Sequence, residues 1–222
     1  MAALGLRFVF DTFLTADHLT LATNDNYQPL ADYLGTYRVD SDPPHVTYVV
    51  DPQTDSTRAG VVADHAYWLS GLRVRDTGAD PTGTVDAVSS AFGQADPVPS
   101  GGSGSAGILT GAHLLMPYLQ TGQTWKPAAS TTPRNALALH LTDVGRATVD
   151  GARAKLSGDK PLTLTIDSDG PAQVTVALPL PAGTTLTTAT GPAPLSSTVT
   201  TTGVTLDVGP GSSTFTLTPP QH

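Results

Sequence analysis

From Ala136 onward the chain repeats one pattern. LALHLT, RATVD, AKL, LTLTID, QVTVAL, TTLTTA, STVTTTGVTLDV and STFTLTP alternate apolar residues with Thr or another small residue, and Gly, Pro and Asp separate them. A period of two sends successive side chains to opposite faces of a strand, so each segment offers one face to a core and one to water. Several short strands at this spacing predict an antiparallel β-sandwich over residues 133–222. Helical alternatives lack material. All nineteen acidic residues are Asp, Glu is absent, and Lys126, Lys155 and Lys160 are the only lysines. The usual occupants of exposed helical faces are therefore scarce, while Thr, Val, Gly, Pro and Asp favour strands and turns. A mostly β protein follows.

Upstream the text is less uniform. Residues 6–14, LRFVFDTFL, and 19–23, LTLAT, read as short strands, and YQPLADYL within residues 26–35 predicts one short helix, with Leu30, Tyr33 and Leu34 at helical spacing and Gly35 as its stop. HVTYVVDP, residues 45–52, is a strand with Val46, Tyr48 and Val50 on one face. DHAYWLSGLRVRD, residues 64–76, alternates as a further strand, and with TVDAVSSAF, residues 84–92, it predicts a hairpin. The resulting organisation is a β-rich N-terminal part over 1–95, a Gly/Ser/Pro linker or loop over 96–107, an ambiguous connecting segment over 108–132, and the sandwich over 133–222.

Several functions are disfavoured at once. A net charge of −8 opposes binding to nucleic acid or an anionic membrane surface. No window approaches the roughly 18 apolar residues of a membrane span, and no basic stretch precedes an apolar run at the N-terminus. The expectation is a soluble chain, mature or cut from something longer. Without Cys there is neither disulfide nor thiolate chemistry.

The strongest catalytic pattern joins His65 to Asp64 or Asp51, with His45 as a second imidazole: a carboxylate-oriented imidazole can take a proton from a serine hydroxyl. Two geometric arguments oppose it. Neighbours in a regular strand point apart, so Asp64 does not orient His65 if residues 64–76 are all strand. His45 and Asp51 lie roughly 20 Å apart along an extended chain. The plainer reading of His65 is a hydrogen-bonded strand-end histidine. No G-x-S-x-G elbow exists, GGSGSAG gives Ser103 and Ser105 half of it, and the lack of Glu excludes HExxH. The clusters DSD at 40–42 and DSDG at 167–170 are too short for a calcium loop and read as Asx turns, so no metal and no cofactor is expected. Tyr67 and Trp125 offer stacking faces for a polymer. Trp68, adjacent to Tyr67, must face the other way and reads as core. Arg73 and Arg75 suit a carboxylate, with an internal salt bridge as the default.

The string VVADHAYWLSGLRVRD, followed by GTVDAVSSAFG and ADP, resembles segments of large secreted actinobacterial serine hydrolases of the α/β-hydrolase, prolyl-oligopeptidase-like kind. There such text lies C-terminal to the nucleophile region and precedes a Thr-rich β tail. The similarity covers residues 10–170. It implies a secreted protein and ester or peptide hydrolysis, with this chain as the C-terminal portion of the enzyme. It would contribute at most Asp51, Asp64 or His65 to a site whose serine lies in an absent catalytic domain or another chain. The alternative is a non-catalytic module that binds a polysaccharide, polyester or protein partner through Tyr67, Trp125 and Arg73.

Overall fold

The computed structural model describes residues 7–14, 17, 28–35, 38–76, 78, 81–110 and 115–221. The strand expected at 19–23 lies outside them. In chain order the elements begin with β1 (Phe8–Phe13), α1 (Gln28–Gly35), β2 (His45–Val50), β3 (Leu69–Val74) and β4 (Gly83–Ser89). Next come β5 (Val98–Thr110), β6 (Leu115–Lys126), β7 (Ala136–Thr142), β8 (Val144–Asp150) and β9 (Leu162–Ser168). The last are β10 (Ala172–Ala177), β11 (Thr185–Thr190), β12 (Ser196–Thr200), β13 (Gly203–Val208) and β14 (Gly211–Thr218). Among the described residues more than half are in strands, arranged in three sheets with one short helix.

Two compact units result, one from Met1–Asp40 with Ala95–Ala129 and the other from Ser41–Gln94 with Ser130–His222. The smaller unit holds α1 and the sheet β1-β6-β5. Its β5 corrects the reading of 96–107 as linker or loop: Gly102 to Thr110 pair in unbroken antiparallel register with β6, after an irregularity between Pro99 and Gly102. Gly and Ser carry no strand signal of their own, and here the ladder to β6 decides their conformation. Met116, Gly122 and Gln123 are the buried residues among those described in this unit.

The larger unit contains a six-stranded sheet, β11-β14-β9-β7-β4-β2, and a five-stranded sheet, β12-β13-β10-β8-β3. Alternation works as the sequence implies. In β9, Leu162, Leu164 and Ile166 are buried between outward Thr163, Thr165 and Asp167, and β10 and β13 repeat the pattern with Val174, Val176, Val204 and Leu206. Side chains of both sheets join one cluster with Trp68, Leu72 and Phe215. Each fully buried Val, Leu or Phe contributes about 1.5–3 kcal/mol relative to exposure.

Three expectations need correction. The sheets are mixed, because β7–β9 and β8–β10 run parallel. Parallel neighbours need a long crossover. Here β8, in the opposite sheet, is the crossover between β7 and β9, and β9 serves β8 and β10 in return. Next, β3 and β4 do not form a hairpin: β3 pairs with β8 in one sheet, β4 with β2 and β7 in the other. Periodicity identifies a strand but not its neighbour. For the same reason the sandwich does not begin at 133, since β2, β3 and β4 are part of it.

Polar staples hold the points where the chain changes sheets. Asp143 alone separates β7 from β8, at φ 51°. Its N–H donates to both carboxylate oxygens of Asp169 at 3.0 Å, and Asp169 is ion-paired with Arg75 at the end of β3. On the β8–β9 connection, Arg153 donates to Asp42 at 2.7 Å, to the Ser41 carbonyl at 2.8 Å and to the Tyr67 carbonyl.

Candidate functional site

The segment between β2 and β3 carries most of the residues singled out by sequence. Asp51 opens a 3-10 turn at Pro52–Thr54, where its side chain accepts the Gln53 N–H at 3.0 Å and its carbonyl accepts the Thr54 hydroxyl at 2.8 Å. It is occupied as a cap and has no hydrogen bond to His65. Asp55 then accepts the Ala63 N–H at 2.6 Å, and Ser56 and Val61 exchange backbone hydrogen bonds at 2.7 and 3.0 Å across a second 3-10 turn. Ala66 and Leu69 do likewise at 3.0 and 2.8 Å, which forces Tyr67 between them to a φ of 54°.

Residues 64–68 are therefore turn rather than strand, and the argument that separated Asp64 from His65 does not apply. His65 Nδ1 lies 2.8 Å from Asp64 Oδ1. A carboxylate there accepts the Nδ1 proton and leaves Nε2 facing water, with 68% of the imidazole side chain exposed. This is the base-and-orienter half of a triad, and among the described residues no serine hydroxyl touches it. Two further pairs reduce its weight. His45 Nε2 lies 2.9 Å from Asp86, which also accepts the Thr47 hydroxyl at 3.1 Å, and His140 Nδ1 lies 3.0 Å from Asp167. Imidazole–carboxylate pairing recurs across this acidic chain, so a pair alone does not indicate catalysis.

Arg73 and Arg75 separate cleanly. Arg75 is paired with Asp169 and has Asp143 at 3.8 Å, so it meets the expectation of an internal salt bridge. Arg73 does not. Among the described residues its side chain makes no hydrogen bond or ion pair, and it stands opposite Arg146 of β8. An irregularity between Ser70 and Arg73, with Gly71 at φ 59°, sets this register. It also turns both Leu69 and Leu72 into the core, at a spacing that simple alternation forbids.

Beside Arg73 the open edge of the sandwich forms a cleft of about 210 Å³, with apolar walls from Val50, Pro52, Ala63, Leu72 and Val74. Asp55 and Arg73 supply its charged lining. The segment that bears His65 is tied to the same place, since the Leu72 N–H donates to the Asp64 carbonyl at 3.0 Å.

The exposed aromatics are divided between the two units. Tyr67 is 47% exposed in the larger unit. Trp125 is 37% exposed in the smaller, with the Arg7 guanidinium 5.9 Å from its ring centroid. Trp68 is buried, as expected, and its indole N–H donates to the Pro43 carbonyl at 2.7 Å. Ser103 and Ser105 lie within β5, paired with Gly122 and Gln120. Among the described residues no group of three or more His, Asp, Glu or Cys is placed to hold a metal.

One feature escaped sequence reasoning. Arg146 donates to Gln173 Oε1 at 3.0 and 3.3 Å, Gln173 donates to Asp207 at 3.0 Å, and Ser196 donates to the other Asp207 oxygen. These residues, with Arg73, form one row across five strands. No local signal could have found it, because it depends on four inter-strand registers. Comparison with protein-family models, with curated proteins and with solved structures finds no match.

Proposed function

We propose that this chain is a non-catalytic binding module of the kind carried by a secreted hydrolase, and that its ligand seat is the cleft beside β3. The observation that carries the reading is Arg73, a cation whose side chain has no partner among the described residues, at the edge of an apolar recess. A few charged or polar groups beside apolar walls are the usual composition of a small-ligand site, in which the polar groups orient and the walls supply affinity. Polysaccharide or polyester binding draws less support, since the walls of the cleft include no aromatic face for stacking.

A second reading rests on the 2.8 Å contact between His65 and Asp64: the chain as the C-terminal part of a serine hydrolase, contributing an oriented base to a serine elsewhere. Intact mass after treatment with a fluorophosphonate, beside a heat-denatured control, separates the two. The binding-module reading expects no adduct specific to the folded chain. A single adduct that forms only on folded protein and is lost in His65→Ala would replace it with the hydrolase reading.

A further inference from the structure

The cleft beside β3 carries charges of both signs. Among the described residues the Arg73 side chain has no partner, and Asp55 commits Oδ1 to the Ala63 N–H at 2.6 Å while its second oxygen accepts no hydrogen bond. Arg146 stands opposite Arg73, and its guanidinium is held by the neutral carbonyl of Gln173, so the positive charge of that pair is not cancelled by an adjoining carboxylate. Two like charges directly opposite in a ladder are unfavourable in the empty protein. An anionic group on Arg73 would relieve them.

Size narrows the ligand further. A volume of about 210 Å³ falls below the roughly 300–1,000 Å³ of sites for drug-sized molecules. The walls from Val50, Pro52, Ala63, Leu72 and Val74 include no aromatic face, so they suit a compact aliphatic group. Resting on the binding-module reading above, we propose that the cleft binds a free α-amino acid with a branched aliphatic side chain. Arg73 takes the carboxylate, Asp55 Oδ2 takes the ammonium, and the side chain lies on the apolar wall. No bond is made or broken. A zwitterion answers both charges at once, whereas a simple carboxylate leaves Asp55 facing it and a simple amine leaves Arg73 facing it.

The test is an amide chemical-shift titration of the whole chain with three probes: L-leucine, 4-methylpentanoate, which lacks the ammonium, and isopentylamine, which lacks the carboxylate. Leucine is expected to move Ala63, Leu72 and Val74 saturably, with a dissociation constant at or below about 1 mM. Each half-molecule should bind about ten-fold more weakly or worse, since each gives up a charge-assisted hydrogen bond. Arg73→Met should weaken leucine and 4-methylpentanoate but not isopentylamine. Asp55→Asn, which keeps an acceptor for Ala63, should weaken leucine and isopentylamine but not 4-methylpentanoate. If either half-molecule binds as well as leucine, the cleft is a ligand site and the amino-acid assignment is wrong. If none of the three moves those amides in a chain that gives the spectrum of a folded protein, the seat assigned in the binding-module reading falls as well.

Discussion

Arg73 of β3 stands directly opposite Arg146 of β8, so two guanidinium groups share one cross-strand position on the five-stranded sheet. Like charges so placed cost roughly 0.2–1 kcal/mol. Arg73→Thr should therefore raise the unfolding free energy by about that amount in low salt, and the gain should shrink as salt screens the pair in the original chain. Urea denaturation at two ionic strengths measures both. A less stable variant, or a gap that widens with salt, would show that the arginine stabilises the sheet.

Asp169 and Asp167 lie two residues apart and should respond differently. Asp169 accepts the Asp143 N–H and pairs with Arg75 where the chain crosses between sheets. Asp169→Ala should lower stability by about 2 kcal/mol, the scale of hydrogen bonds to a charged group. Asp167 meets an imidazole that is 58% exposed, and Asp167→Ala should change stability by less than about 1 kcal/mol. Equal urea midpoints for the two variants would refute the view that Asp169 is the staple.

The outcome at these two residues shows where the sequence was readable. Alternation placed Leu162, Leu164 and Ile166 inside and Asp167 outside, because burial in a strand depends only on period. The same logic identified β2 and the buried Trp68. It could not say which strands are neighbours, since β7 and β9 look alike whether they pair parallel or antiparallel. Nor could it see that β5 is a strand, because Gly has no side chain and Ser only a small polar one, so the run shows no apolar period. At the candidate site, Arg73 and His65 were identified by chemistry. The turn at Tyr67 and the bulge at Gly71 were not, and both decide what those residues meet.

The carboxyl pKa of Asp207 is lowered from its ordinary value of 3.8, first by the Ser196 hydroxyl and then by the Gln173 amide. A group with a depressed folded pKa stabilises the fold above its unfolded pKa, and that contribution is lost as pH falls through the folded value. Stability should therefore decline on acidification below about pH 4, and the Asp207→Asn variant should decline less steeply over that range. Urea midpoints from about pH 6 downward give the comparison. Parallel curves for the two proteins would mean that the Ser196 and Gln173 contacts do not hold the carboxylate in its ionised form.

Gly71 sets the register on which the proposed site depends. If the pairing of Ser70 with Thr148 continued without a bulge, Leu72 rather than Arg73 would face Arg146. That register would turn Leu72, a wholly buried side chain, out of the core, so the strand has no cheap way to relax. A substitution at Gly71 must then keep the left-handed backbone at φ 59°. A Cβ there meets Thr148 Oγ1 at 3.4 Å, an ordinary contact, so the cost is conformational rather than steric. Gly71→Ala should lose about 1–2 kcal/mol, Gly71→Asn less because Asn tolerates this region, and Gly71→Val more. Leucine affinity should be unchanged in the Ala and Asn variants, because Arg73 and the cleft stay in place. Denaturation and the amide titration test the two halves separately. If Val costs no more than Asn, the backbone at 71 is not left-handed. If affinity falls together with stability, the bulge shapes the cleft beyond setting the position of Arg73.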